Sequence, residues 1–287
     1  MSAKSWSVLQ GLLHSFHGDD FKLFEKFLPE EGEGKEIFSS FLSPKAEKSE
    51  IFLFSKGILG GMHYSWLFDL FEKIPEEKRA LYFSSIPEEQ DNENMRVLKD
   101  KFGEKISLTE FGRKFLFSHL QHMYLEKEDW MPFALLPDSH FKDLLRYGKR
   151  KLVRFIDFLG IRDLSIELRE LNSPEVSQRI EEILTMKKRE YLKICLEEEA
   201  LRLSSLELIK WDGDKRKMQI LLHQKGLERF AKTISGQHLS FFWHITRKLD
   251  KGRGKALMKH YSKEEIPDAT PVLSRQFASL VEFLEEM

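Results

Sequence analysis

Valine and threonine are nearly missing from this chain: valine occurs six times and threonine five in 287 residues. Sheets draw on β-branched residues, whereas the leucine, glutamate and lysine that dominate here lose little rotamer freedom in a helix. The chain therefore reads as all-α. Its 24 phenylalanines outnumber the 6 tyrosines and 5 tryptophans together. That balance predicts a core of Leu and Phe without polar handles.

Proline placement suggests how the helices are strung together. Pro44, Pro75, Pro87 and Pro174 each stand before a charged residue, in SPK, IPEE, IPEE and SPE. Proline suits a helix's first turn, where its missing N–H would be unpaired anyway, and acidic neighbours there suit the dipole. Each of the four marks an expected helix start. From Trp66 to Gln90 the pattern predicts short helices of about 8–12 residues joined by tight turns, as in helical solenoids. Breaks are expected at Glu30–Lys35, Gln90–Asn94 and Glu126–Ser139, and Gly57–Gly61 (GILGG) reads as a break between helices.

At roughly 150 residues per domain, the length implies about two folding units. The expected organisation is a small N-terminal helical unit over 1–43, an armadillo-like helical domain over 44–138, and a C-terminal helical domain over 139–287. An internal echo crosses these boundaries. Gly61-Met-His63-Tyr-Ser65, followed by Lys73-Ile74 and Ala80-Leu81, recurs as Gly236-Gln-His238-Leu-Ser240, then Lys248-Leu249 and Ala256-Leu257.

Charge and motifs exclude several functions. Forty-six basic against forty-seven acidic residues give a net charge of −1, which makes no electrostatic case for a nucleic-acid binder. MSAKSWSVLQ lacks an apolar signal core, and no stretch approaches about 18 uninterrupted apolar residues, so neither a secreted nor a membrane-spanning chain is expected. Cys195 stands alone, in keeping with a reducing compartment, and between Ile194 and Leu196 it reads as a small core residue. There is no phosphate-loop, nucleophile-elbow or zinc-helix motif. Gly252-Arg-Gly254-Lys255 superficially resembles a phosphate-binding turn, but it lacks the preceding strand and reads as a basic surface loop. His14/His17 and His119/His122 each share a helix face at i,i+3, with Asp19, Asp20 or Glu126 as nearby further ligands. Half-buried or solvated helical histidines are the simpler reading. No enzyme, cofactor or metal is expected.

The most informative stretch is a charged helix over 186–199. At 100° per residue, Tyr191, Leu192, Cys195 and Leu196 form an apolar stripe. Arg189, Glu190, Lys193 and Glu197 fall opposite, and Arg189, Lys193 and Glu197 make a charged surface row of both signs at i,i+4,i+8. Ile194 lies on the polar side and does not fit.

The order of motifs around that helix carries a family resemblance. Leu164-Ser-Ile-Glu-Leu168-Arg169 is followed by Met186-Lys-Lys-Arg189, then Glu197-Glu198, then Arg202-Leu203-Ser204-Ser-Leu-Glu207. From about Lys149 to Ser235 this resembles the C-terminal half of the flagellar motor switch protein family (FliG). Upstream, His63, Leu70, Ile74, Ala80-Leu81 and Ile86-Pro87 are similar to the family's armadillo middle domain, with only His63 standing in its four-residue motif. The tail over 237–287 exceeds the family's usual length.

The resemblance implies stacked helical units in a cytoplasmic rotor or switch ring, at the inner face of the bacterial inner membrane. Implied partners are a membrane-ring base protein, other switch or platform proteins, and a stator. The family's torque-bearing charges would fall on Arg169, Arg189, Glu197, Glu198 and Arg202. One alternative is a non-rotary accessory adaptor of a type III secretion cytoplasmic platform. Another is an unrelated helical-repeat protein-binding module.

Overall fold

The computed structural model describes residues 58–86, 92–125, 131, 136–198 and 201–285. The expected unit over 1–43, the Glu30–Lys35 break, His14, His17, Pro44 and Pro87 lie outside them. The described residues form eleven α-helices and three short 3-10 turns, with no strand among them. The all-α fold that the shortage of Val and Thr implied is the one adopted. The chain divides into two compact units, Met1–Asp138 and Ser139–Met287.

In the first unit, a three-residue turn joins α1 (Tyr64–Glu72) to α2 (Glu76–Ser85), and α3 (Asn92–Phe102) and α4 (Glu110–Leu125) follow, with α2 packed on α4. His63 caps α1, its Nδ1 accepting from the Ser65 N–H at 3.2 Å. Trp66, Leu67, Leu70 and Phe71 form the buried stripe of α1. Pro75 stands just outside α2 as its N-cap, with Glu76 and Glu77 in the first turn, as the IPEE pattern implied. Arg79 Nε donates to the carbonyls of Phe71 and Ile74, both at 3.0 Å, adding a donor at the end of α1, where helix carbonyls run short of N–H partners. Phe102 of α3 stacks on Phe71 at 4.6 Å. The break expected over Gln90–Asn94 ends earlier than the sequence suggested, because Asn92 already opens α3.

The second unit is organised around α5 (Lys149–Leu171), buried without interruption from Phe158 to Leu168. A helix buried on all sides has other helices around it, and here α7 (Met186–Glu197), α8 (Lys215–Thr233) and α11 (Thr270–Glu285) pack on it. Short α6 (Pro174–Ile183) carries its proline at the first position, with Ser173 as N-cap, as the SPE pattern implied. α9 (Leu239–Lys248) and α10 (Lys251–His260) pack together as a hairpin. Gly160 and Gly226 set the α5–α8 crossing: a Cβ on Gly160 would stand 2.0 Å from the Leu222 carbonyl oxygen, and one on Gly226 1.8 Å from that of Ile156. Only hydrogen fits there.

The echo has a structural basis in α9, the helix that His238 opens. His238 caps α9 as His63 caps α1, its Nδ1 accepting from the Ser240 N–H at 3.1 Å. Trp66, Leu67, Leu70, Phe71 and Ile74 are buried, and so are Phe241, Phe242, Ile245, Thr246 and Leu249 at the same spacing. The matching does not extend into α2 and α10, where Phe83 is buried and its counterpart Lys259 is exposed.

Two expectations are overturned. Gly252-Arg-Gly254-Lys255 is the opening of α10 rather than a loop, capped by Asp250, whose Oδ1 accepts the Arg253 N–H at 3.1 Å. The core of the second unit is not free of polar handles either. Arg162 and Arg229 are its largest fully buried side chains. Arg229 Nε and Nη2 clasp Asp163 at 3.0 and 2.6 Å, and its Nη1 reaches Gln276 Oε1 at 2.9 Å. A planar fork satisfied at every arm is what makes a buried arginine tolerable.

Lys248, by contrast, ends α9 with its ammonium turned inward, donating to the Tyr147 carbonyl at 3.2 Å with no carboxylate against it among the described residues. Burial lowers its pKa from 10.5 to about 8. The charged form is penalised in the folded state, so the penalty is fully present below pH 8 and is relieved as pH rises toward 10.5. Lys248→Met should therefore stabilise the protein by about 1–2 kcal/mol near neutral pH. It should also flatten the rise in melting temperature across that alkaline window, which a pH series of thermal melts would read.

Candidate functional site

The charged helix is α7, and its two faces separate as the 100° spacing implied. Tyr191 and Cys195 are fully buried, Leu192 nearly so, and Leu196 half-buried, while Arg189, Glu190, Lys193 and Glu197 are exposed. Ile194, the residue that fitted neither stripe, is 37% exposed, and Met186 at the helix start is 69% exposed. Tyr191 anchors the inner face: its ring meets Phe158 and Phe283 at 5.5 and 5.1 Å, and its hydroxyl accepts from Arg162 Nε at 2.8 Å. Burial pushes its hydroxyl pKa up, and it pushes the Cys195 thiol up to about 11. Cys195 is thus an uncharged core residue without nucleophilic character at neutral pH.

The five carried-over charges divide into two groups. Glu198, just past α7, accepts Arg162 Nη1 at 2.7 Å, and Arg169 at the end of α5 donates Nη1 to the Glu198 carbonyl at 2.9 Å. Arg202 pairs with Glu170 at 2.5 Å, both half-exposed. These three therefore tie the ends of α5 and α7 and the following turn together. Arg189 and Glu197 stand apart from them. With Lys193 they form the exposed row, and among the described residues no ion pair engages any of the three. Two turns separate Arg189 from Glu197, about 12 Å along the axis. His63, carried over from the middle-domain motif, is the α1 cap and 3% exposed.

Charge order along α7 runs against the helix dipole. Lys187, Lys188 and Arg189 crowd the first turn, where acids are favoured, and Glu197 lies in the last, where bases are favoured. Each such placement costs about 0.3–1 kcal/mol at low ionic strength. Lys188 is compensated by Asp157 at 3.7 Å. The outward-facing charges have no such partner in the described protein.

The turn after α7 is held by a carboxylate that the sequence reading did not single out. Glu167, on α5 and 6% exposed, accepts the backbone N–H groups of Leu206 at 2.5 Å and Leu208 at 2.7 Å, and the Ser205 hydroxyl at 3.1 Å. It fixes the segment in which Glu207 takes a left-handed conformation at φ 52° and Ile209 stands 82% exposed. Arg162, Asp163 and Glu167 fall within one run of apolar residues on α5. Charges recur along the whole of α5, from Lys149 to Glu170, so hydropathy does not mark these three as buried.

Among the described residues no group of three or more His, Cys, Asp or Glu is placed to hold a metal ion. No helix among them is long and apolar enough to cross a membrane. No family model, curated protein or solved structure matches the chain.

Proposed function

We propose that this chain is a non-enzymatic structural component of a cytoplasmic rotor or switch ring of flagellar type. On this reading it contacts a membrane-ring base protein and presents the outer face of α7 to a stator or docking partner. One observation carries the proposal: the Arg189–Lys193–Glu197 row is exposed, without an ion pair among the described residues, and ordered against the dipole of its own helix. Stability alone does not favour that arrangement. Contact with a partner's opposite charges gives it a use. The motif order from Arg169 through Arg202 supports the choice of machinery.

An exposed ion pair across such a contact is worth only about 0.2–1 kcal/mol. Its field reaches about 8–10 Å at physiological salt. Weak, short-ranged pairs suit a contact that is made and broken repeatedly. The row with Arg189 and Glu197 is assigned to the partner. Arg169, Glu198 and Arg202 hold α7 at its working angle.

The second reading, an accessory adaptor of a type III secretion platform, draws support from α9–α11, which extend beyond the stretch that resembles the switch family. Replacing the chromosomal gene with an Arg189→Glu, Lys193→Glu, Glu197→Lys variant separates the two. Lost swimming with intact secretion is the rotor result, and lost secretion is the adaptor result. Unchanged swimming and secretion would refute both.

A further inference from the structure

Away from the outer face of α7, four helices of the second unit converge on one histidine. His223, on α8, has its Nδ1 2.6 Å from Asp157 Oδ1 of α5 and its Nε2 2.8 Å from Arg253 Nε of α10. Arg253 also donates Nη1 to Asp250, the α10 cap. Lys188 of α7 pairs with the other oxygen of Asp157 at 3.7 Å. Lys149, opening α5, acts on Asp250 from a distance. Lys225, the charged residue closest in sequence on α8, points instead to Ser204 at 2.8 Å. The imidazole and both carboxylates are at most about one-third exposed, at 19, 34 and 24%.

Hydrogen-bond chemistry decides the state of the ring. A guanidinium has donors only and keeps its proton at every relevant pH, so the atom receiving Arg253 Nε–H must be an acceptor. Nε2 therefore carries a lone pair, and the ring's one proton sits on Nδ1 and is donated to Asp157. Asp157 is ionised to receive it: burial would raise its pKa, but the bond from His223 and the charges of Lys188 and Arg253 hold it below the ordinary carboxylate value.

We propose that His223 is a proton-sensitive latch. As the neutral Nδ1–H tautomer it holds the first turn of α10 to α8 through Arg253, and protonation at Nε2 opens that hold. An incoming proton takes the lone pair that Arg253 uses. Two N–H donors then face each other, and an imidazolium stands against a guanidinium. The imidazolium keeps Asp157, so Arg253 is the group displaced, and it retains Asp250 on its own helix. The His223–Asp157 bond between α8 and α5 thus survives while the His223–Arg253 bond between α8 and α10 is lost. The latch is closed while Nε2 keeps its lone pair and open once that atom has taken a proton.

The test uses the full chain with 15N-labelled histidine. Across a pH series from about 8 down to about 5, long-range 1H–15N spectra should show the His223 proton on Nδ1 alone before the ring is protonated and on both nitrogens after it. Amide exchange over 253–257, corrected for its intrinsic pH dependence, should accelerate about tenfold or more across that change, the weight of one charge-assisted hydrogen bond. Arg253→Met should remove the acceleration while leaving the histidine titration in place. A proton on Nε2 at the upper pH would overturn the proposal. So would equal protection at both ends, or an unaltered acceleration in Arg253→Met.

Discussion

Gly226→Ala is expected to lower the stability of the second unit by more than about 3 kcal/mol, above the usual range for overpacking. The added carbon would lie 1.8 Å from the Ile156 carbonyl oxygen and 2.8 Å from its carbon. Neither atom can turn aside, because both belong to the backbone of the long buried helix α5. The crossing helices must separate, and α8 then loses the close fit that buries Leu222, Leu227 and Phe230. Gly160→Ala meets the Leu222 carbonyl from the other side at 2.0 Å and should fail in the same way. Gly252→Ala is the control. Its Cβ would touch only Asp250 Oδ1, at 3.4 Å on an exposed turn, and should stabilise by up to about 1 kcal/mol through helix propensity. Urea unfolding of the three variants reads all three signs.

Breaking the buried Arg229–Asp163 pair from one side comes next in size. Both side chains are essentially inaccessible, at 0 and 2%. Asp163→Ala leaves Arg229 with Gln276 and the Leu201 carbonyl but with no opposite charge. An uncompensated buried charge of this kind costs about 3–5 kcal/mol. Replacing both members, as Asp163→Leu with Arg229→Met, should cost less than half as much, because the desolvated charges leave together. A double-mutant cycle by chemical denaturation measures the difference. Single and double variants of equal stability would show that the pair is not held as described.

These two effects arise where the sequence was least legible. Hydropathy treats Arg162, Asp163 and Arg229 as surface residues, and nothing in a linear pattern shows that their partners lie 28 to 114 residues away, as Leu201 does from Arg229 by 28 and Gln276 from Arg162 by 114. Glycine density misled the reading of Gly252–Lys255. The informative signals there were Asp250 as a cap and Lys259 and His260 in the last turn. Local periodicity was read well. The inner face of α7, the position of Ile194 on its outer side, and the helix starts after Pro75 and at Pro174 all follow from spacing and cap chemistry over a few residues. The His63 and His238 echo lies between these cases: its pattern was visible, but the cap bond behind it needs backbone geometry.

The most direct measurement on the outer face of α7 compares Glu197→Lys with Leu192→Ala in the same cells and in the same melting experiment. Glu197 touches no core, so its reversal should shift stability by no more than about 0.5 kcal/mol while impairing swimming or secretion. A reversed charge on the partner should restore part of the loss. Leu192, 2% exposed, should cost about 2–5 kcal/mol when truncated. A Glu197→Lys protein that melts early would place that face in the core. One that keeps both its stability and its function would reduce the Arg189–Lys193–Glu197 row to a solvated surface.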